Sequence, residues 1–428
     1  MSPRQSNTDP KVANEPGSPI ALKRSLGLPL LTLYGLGTLV GGGFYALVGK
    51  VAGESGMRAP VSFFAAALVA TFSALSFGEL SARYPFSAGE SRYVHEAFGR
   101  RSLSICVGWM VIATGIVSAA MLANAFVGFL QDVVAIPAAG GIVFIVVALG
   151  AVATWGILES AVLAVAITVI EVGGLVFIVF AGRHHLATLP ERWSEMVPPV
   201  AWTPWPGIML GAFLAFYSLI GFEDMVNVAE EVRNPRVNLP KAIALALGIT
   251  TILYVSVSVV AVLAVPPAAL AATRTPLAAV LRQSGYESTM AISVVGMLAG
   301  INGALVQIVM AARIIYGMAR KGMAPRYFEA VGESTRTPVR STLLVIGLVL
   351  VFALWLPLLA LARLTSAIIL VVFSLVNLSL IRIKQQTPTS NRDGPDWPIW
   401  IPAAGFVLSL GFVAVQVWSS LADLVARQ

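Results

Sequence analysis

The chain has 428 residues, of which 57% are hydrophobic and only 11% charged, with a formal net charge of +7. Soluble globular proteins are about 45–50% apolar and about 25% charged, so this composition excludes a soluble domain and indicates a polytopic membrane protein. The positive charges punctuate apolar runs instead of gathering on one polar stretch, which argues against nucleic acid as a partner.

Residues Met1 to Ser18 are polar, carry Pro3, Pro10 and Pro16, and contain no apolar core. Residues 1–24 therefore read as a disordered cytoplasmic tail and not as a signal peptide. Eleven apolar runs follow, at about 28–51, 60–82, 103–131, 140–155, 159–182, 207–230, 240–265, 289–319, 341–357, 359–381 and 399–422. A bilayer crossing needs about 20 apolar residues, so each run predicts one transmembrane helix, and the short connections make neighbours antiparallel. With the N-terminus inside, nineteen Lys and Arg residues fall on cytoplasmic segments and eight on external ones, which sets the orientation.

Run 1 is interrupted by Gly41-Gly42-Gly43. Consecutive glycines weaken a helix by about 1 kcal/mol each relative to alanine, and an unwound backbone in hydrocarbon survives only where it lines a cavity or is buried in protein. A break here leaves free N–H groups at the start of the second half-helix, suited to a carboxylate. The first half ends in free carbonyls such as that of Leu39, suited to an ammonium. Close helix packing through small residues is the structural alternative.

The loop after run 2 carries mixed charges between Arg83 and Gly99 and reads as a latch or as a plain solvated connection. Run 5 contains a lone carboxylate, Glu171, near its middle. Such a group either takes up and releases a proton during a cycle or holds a neighbouring helix by a static hydrogen bond. A second interruption falls in run 6, at Tyr217-Ser218-Leu219-Ile220-Gly221-Phe222-Glu223-Asp224. The carbonyls of Tyr217 and Ile220 could take an ammonium, Tyr217 or Phe222 could close over a ligand, and Glu223 is the candidate proton-linked carboxylate. Beyond it, Asn234-Pro235 stops a helix and Pro240 suits the first turn of the next. Arg313, inside run 8, is placed to snorkel or to pair with a carboxylate.

The two interruptions lie five runs apart, and an odd number of spans per repeat inverts the second copy. The expected fold is thus all-α, with about eleven transmembrane helices. Residues 25–385 form a ten-helix core of five plus five inverted repeats (about 25–183 and 206–385), with helices 1 and 6 discontinuous, and residues 386–428 form a loop and a peripheral helix. Paired breaks of this kind are the sequence pointer to a secondary transporter's binding site. The single cysteine, Cys106, allows no internal disulfide, and His95, His184 and His185 show no ligand spacing, so no metal site is expected. No nucleophile–base pair lies in the spans, so no catalytic residue and no enzyme activity is expected.

With these residues in view, the chain resembles the amino acid–polyamine–organocation transporters. The glycine-rich stretch Gly35 to Gly49, the loop Tyr84 to Gly99, the segment Gly221-Phe222-Glu223 through Leu239-Pro240 and the end of run 8, Arg313 through Pro325, are similar to that family's signatures. The resemblance covers about residues 25–385 and implies alternating access around a centrally bound amino acid. By position it places the substrate carboxylate on the amides of Gly42 and Gly43 beside Gly41, the ammonium on the carbonyls of Leu39, Tyr217 and Ile220, and the aromatic gate near Tyr217 and Phe222. The sequence departs from the family pattern at Gly42, where Ser or Ala is common, and at Glu171, where proton-coupled relatives often carry Lys. Proton coupling through Glu171 and Glu223 is expected, sodium is compatible with the same carboxyls, and no cofactor is implied. The reading is a secondary active amino acid transporter of the plasma membrane, proton-coupled or exchanging, whose partners are a small-molecule amino acid and the lipid bilayer, with its oligomeric state open. A polyamine or amine carrier of the same fold is the alternative. A transport-inactive sensor or partner subunit is the alternative from another class.

Overall fold

The computed structural model describes residues 24, 26–85, 89–155, 161–332, 335–386 and 394–426. The tail expected over residues 1–24 lies outside them apart from Arg24, as do 86–88 of the loop after run 2 and 387–393 before the last run.

All eleven apolar runs are helical where described, and among the described residues there is no named strand. Run 1 is split into α1 (Leu28–Leu39) and α2 (Gly42–Ser55). Next come α3 (Ala59–Arg83), a short α4 (Gly89–Phe98), α5 (Arg101–Leu130), α6 (Ala138–Trp155), α7 (Ala161–Ala181) and α8 (Leu189–Met196). Run 6 opens as α9 (Trp205–Phe216) and continues as 3-10 helix over Tyr217–Leu219 and Phe222–Glu231. The second half holds α10 (Pro235–Ala264), α11 (Pro267–Ala272), α12 (Pro276–Gln283), α13 (Met290–Arg320), α14 (Val339–Trp355), α15 (Leu358–Gln386) and α16 (Trp400–Ala426).

By length and composition, eight helical stretches among the described residues can cross a membrane, or nine if the bent pair Val165–Ala181 and Arg183–Met196 is one span. Leu28–Leu39 and Val339–Trp355 are apolar but shorter. Large apolar side chains such as Phe144, Trp355 and Trp418 are exposed on the outside of the body, where they suit lipid.

The most extensive helix pairs are α5 with α13 and α3 with α10. Between helices that share an apolar solvent, association depends on close packing, and small residues permit it. A Cβ on Gly42 would lie 2.8 Å from the Cα of Gly300, so α2 and α13 meet backbone to backbone. Gly78 of α3 likewise faces Pro240 of α10, with a built Cβ 3.3 Å away.

The start of α10 differs from the expected one. Asn234 caps it in the left-handed conformation (φ 49°), Pro235 takes the first turn, and Pro240 lies inside the helix. Either proline could begin a helix, since the first N–H groups have no helical partner. Asn234, one of the few residues that tolerate positive φ, settles the choice in favour of Pro235.

The loop after run 2 is not a plain solvated connection. Its described part forms α4, which buries Gly89, Glu90, Tyr93, Val94 and Ala97 on one face. Burial lifts the Glu90 carboxyl to about 7, against the lowering effect of its own backbone N–H and with the negative charge of Asp224 adding to the rise.

Candidate functional site

Both sequence interruptions are present, and they touch. The first is short: α1 ends at Leu39, Val40 and Gly41 bridge, and α2 restarts at Gly42. The second runs through one 3-10 turn, then Ile220 in extended conformation and Gly221 at φ 132°. Only glycine adopts that φ without strain. A Cβ on Gly221 would also fall 2.4 Å from the Thr38 carbonyl oxygen, so the absence of a side chain is what lets the two broken segments meet. After Gly221 the chain keeps 3-10 geometry for ten residues, Phe222–Glu231. Such runs seldom exceed three or four residues and often mark hinges. The far ends are joined too: Leu26 N–H donates to the Glu231 carbonyl (3.0 Å) and Arg233 N–H to the Leu26 carbonyl (2.8 Å).

A cavity of about 70 Å³ lies where the breaks meet. With about 10–15 Å³ needed per water, it has room for about five water-sized groups. Gly37, Leu39, Gly41 and Gly43 line it from the first break, and Tyr217, Ser218 and Ile220 from the second. The remaining walls include Tyr34, Ser118, Thr168, Asp224, Asn302 and Gln307.

Of the residues singled out in the sequence, Leu39, Gly41, Gly43, Tyr217 and Ile220 are thus brought together. The N–H groups at the start of α2 have no helical partner, and no side chain caps them. Fourteen residues of helix stand behind them, with the positive end of the dipole towards the cavity. The half-helix is held in place by aromatic contacts. Phe44 stacks on Tyr254 with ring centroids 3.9 Å apart, and the Tyr45 hydroxyl donates to the Glu171 carbonyl at 2.6 Å.

The carbonyls expected to receive an ammonium are already in use once. Leu39 O accepts from the Tyr254 hydroxyl at 2.7 Å, and Tyr217 O from the Ile220 N–H at 3.2 Å. Each carbonyl keeps a second lone pair. The Tyr217 ring lies across Gly43, where a Cβ would come within 2.7 Å of it, and its hydroxyl pairs with Ser118 Oγ at 2.9 Å. It therefore spans from the second break to α5.

Four of the expected site residues lie off the cavity wall. Gly42 faces Gly300 instead, because α2 turns it towards α13. Phe222 is fully buried between Phe77 (5.7 Å) and Phe373 (5.1 Å), because the turn at Gly221 points it away. Glu223 bends back so that its Oε2 accepts from the Gly221 N–H at 2.8 Å. Glu171 stands one turn from the lining residue Thr168. Both its carboxyl oxygens are buried without a hydrogen-bond partner, and Asn302 is the side chain that can reach them. Sequence reading passed over Ser118, Asn302 and Gln307, since an isolated polar residue in an apolar run carries no pattern. Asp224 was visible as half of a Glu-Asp pair, but spacing alone did not say which carboxyl faces inward.

A helical membrane body with two discontinuous helices meeting at a central cavity defines the class of protein. A sequence model described as amino acid permease matches residues 26–427, and the chain belongs to that family. Its relatives include the branched-chain amino acid permease BcaP of Bacillus subtilis, 28% identical over 92% of this chain and 90% of the relative. The mitochondrial cationic amino acid transporter 3 of Arabidopsis thaliana is 29% identical over 86% of this chain, and the human cationic amino acid transporter 4 is 31% identical over 87%. The chain spans 63% and 62% of the length of those two relatives.

Proposed function

We propose that the protein is a secondary active transporter of amino acids that works by alternating access. The observation that carries this reading is the meeting of two interrupted helices at one cavity. There the unpartnered amides at the start of α2 suit a carboxylate, and the spare lone pairs of Leu39 and Tyr217 suit an ammonium. Relatives named as amino acid permeases and cationic amino acid transporters support the substrate class.

Inverted repeats of five helices are part of the proposal. If runs 1–5 and 6–10 are the repeats, the most extensive contacts, α5 with α13 and α3 with α10, join equivalent helices of the two halves. The long 3-10 segment after Gly221 and its bridge to Leu26 give the inner half-helices a common hinge. The count of eleven spans, the cytoplasmic N-terminus and residence in the plasma membrane belong to the same proposal. Proton coupling rests on Glu171 and Glu223, with exchange as its uncoupled form.

The test is uptake of the twenty radiolabelled amino acids into proteoliposomes holding the purified full chain, with and without an inward proton gradient. Saturable uptake of at least one amino acid supports the reading, and stimulation by the gradient supports coupling. Absence of saturable uptake and of exchange, with correctly folded protein in the vesicles, overturns it in favour of a sensor or partner subunit.

A further inference from the structure

The cavity wall is chemically one-sided. Among its lining residues there is one carboxylate, Asp224, and no Lys, Arg or His. Asp224 is 4% exposed and Gln307 9%. Their single mutual contact runs from Gln307 Nε2 to Asp224 Oδ2 at 3.4 Å. That contact fixes the amide, because a carboxylate accepts and cannot donate. Gln307 Oε1 is consequently left buried with no partner. Ser218 Oγ, also on the wall, has none either. Gly115 of α5 makes room for the Gln307 side chain, a built Cβ there lying 3.3 Å from Oε1.

A buried acceptor without a donor costs about 1–3 kcal/mol, and a buried charge more. A ligand that brings donors relieves that cost, and a ligand that brings only methyl groups does not. The Glu223 carboxyl is turned to the Gly221 N–H, and Arg313, the next cation along α13, is not on the cavity wall.

We infer that Asp224 and Gln307 form the side-chain subsite of this cavity and select amino acids whose side chain ends in a cationic nitrogen. The inference rests on the transport reading above, which assigns the main-chain groups of the substrate to the two breaks.

The test compares L-ornithine with L-norleucine, which have the same shape but carry ammonium and methyl at the same position. Binding to the purified full chain is read by calorimetry, with L-alanine as the reference that lacks the distal group. The expected result is ornithine tighter than norleucine by about tenfold or more, the range for a hydrogen bond to a charged group. In Asp224→Asn the ornithine-to-alanine affinity ratio falls by about tenfold, and in Gln307→Met by a smaller factor. The Gln307→Met ratio and the wild-type ornithine-to-norleucine ratio stand by themselves if Asp224→Asn does not fold. Norleucine binding as tightly as ornithine, or an ornithine-to-alanine ratio unchanged in both variants, overturns the subsite while leaving the main-chain site intact. Failure of every amino acid to bind overturns the transport reading and the subsite together.

Discussion

At the C-terminal end of α3 the Glu79 carboxyl is fully buried, and both its oxygens are engaged. Oε1 accepts from Arg83 (2.6 Å) and Lys384 (2.7 Å), and Oε2 from the Trp397 N–H (2.9 Å). Asp396 braces the same two cations, at 3.3 Å from Arg83 and 2.6 Å from Lys384, and the Lys384 contact holds its carboxyl below the usual range. In α7 the Glu171 carboxyl is equally buried and makes no well-formed hydrogen bond, with only the Asn302 side chain in reach, and beside the cavity Gln307 and Ser218 carry unmatched oxygens. The contrast separates two uses of burial. A charge that only has to hold α3, α15 and the approach to α16 together is compensated on every side. Among the unmatched buried polar atoms of the described residues, those of Gln307 and Ser218 lie on the cavity wall and those of Glu171 one turn from it, while others, such as Ser341 and Gln416, belong to residues off that wall.

The comparison is sharpest under Glu79→Gln. Removing one member of a buried ion network costs about 3–5 kcal/mol, so the melting temperature of the purified protein should fall steeply. Glu171→Gln should change stability far less, since only the approach of Asn302 is altered. Equal losses for the two would break the distinction.

Next in size are the glycines. Gly42→Ala drives a Cβ into the backbone of Gly300, where neither side can yield. Overpacking of this kind costs about 1–3 kcal/mol, seen as lower stability. Gly43→Ala clashes with the Tyr217 ring and meets the Ser218 Cα at an ordinary contact distance of 3.7 Å. It should lower substrate affinity by about tenfold or more while the melting temperature moves less than for Gly42→Ala. A reversed order of the two effects would contradict the assignment of Gly43 to the site and Gly42 to the helix contact.

Tyr217→Phe removes the hydroxyl that reaches Ser118. A loss of about 1 kcal/mol is expected, or about fivefold in affinity, with a null effect pointing to a ring that serves by shape alone. Glu171→Gln, besides its small effect on stability, should flatten the pH dependence of uptake. An unchanged profile would return Glu171 to a structural part.

The smallest effect concerns Glu90. Its carboxyl sits at about 7 in the fold against an ordinary 4.5, so between those values the folded protein holds a proton that the unfolded chain has released. Its contribution therefore falls as pH rises through that window and stays low above it. A melting curve series should show this slope in the wild type and a shallower one in Glu90→Gln.

Much of the architecture was legible in the chain. Composition alone set the class, and the triplet Gly41–Gly43 and, five runs on, Gly221 marked both interruptions, because they recur at corresponding positions, whereas a glycine by itself serves close helix packing as readily. What stayed hidden depends on rotation about a helix axis. Whether Gly42 or Gly43 faces the cavity is a matter of about 100° of α-helix, and Glu223 and Asp224 lie in a 3-10 segment with three residues per turn, a geometry their apolar run did not announce. Tyr254 and Ser118 reach the breaks from spans whose own sequences give no sign of it.

The central claim is that two broken helices hold the two ends of a zwitterion, and calorimetric binding of one substrate with each end removed tests it most directly. Taking whichever neutral amino acid binds, its amide and its deaminated acid should both lose affinity by about a hundredfold or more, since each leaves one set of backbone groups unmatched. Binding of either analogue at the affinity of the parent would contradict it.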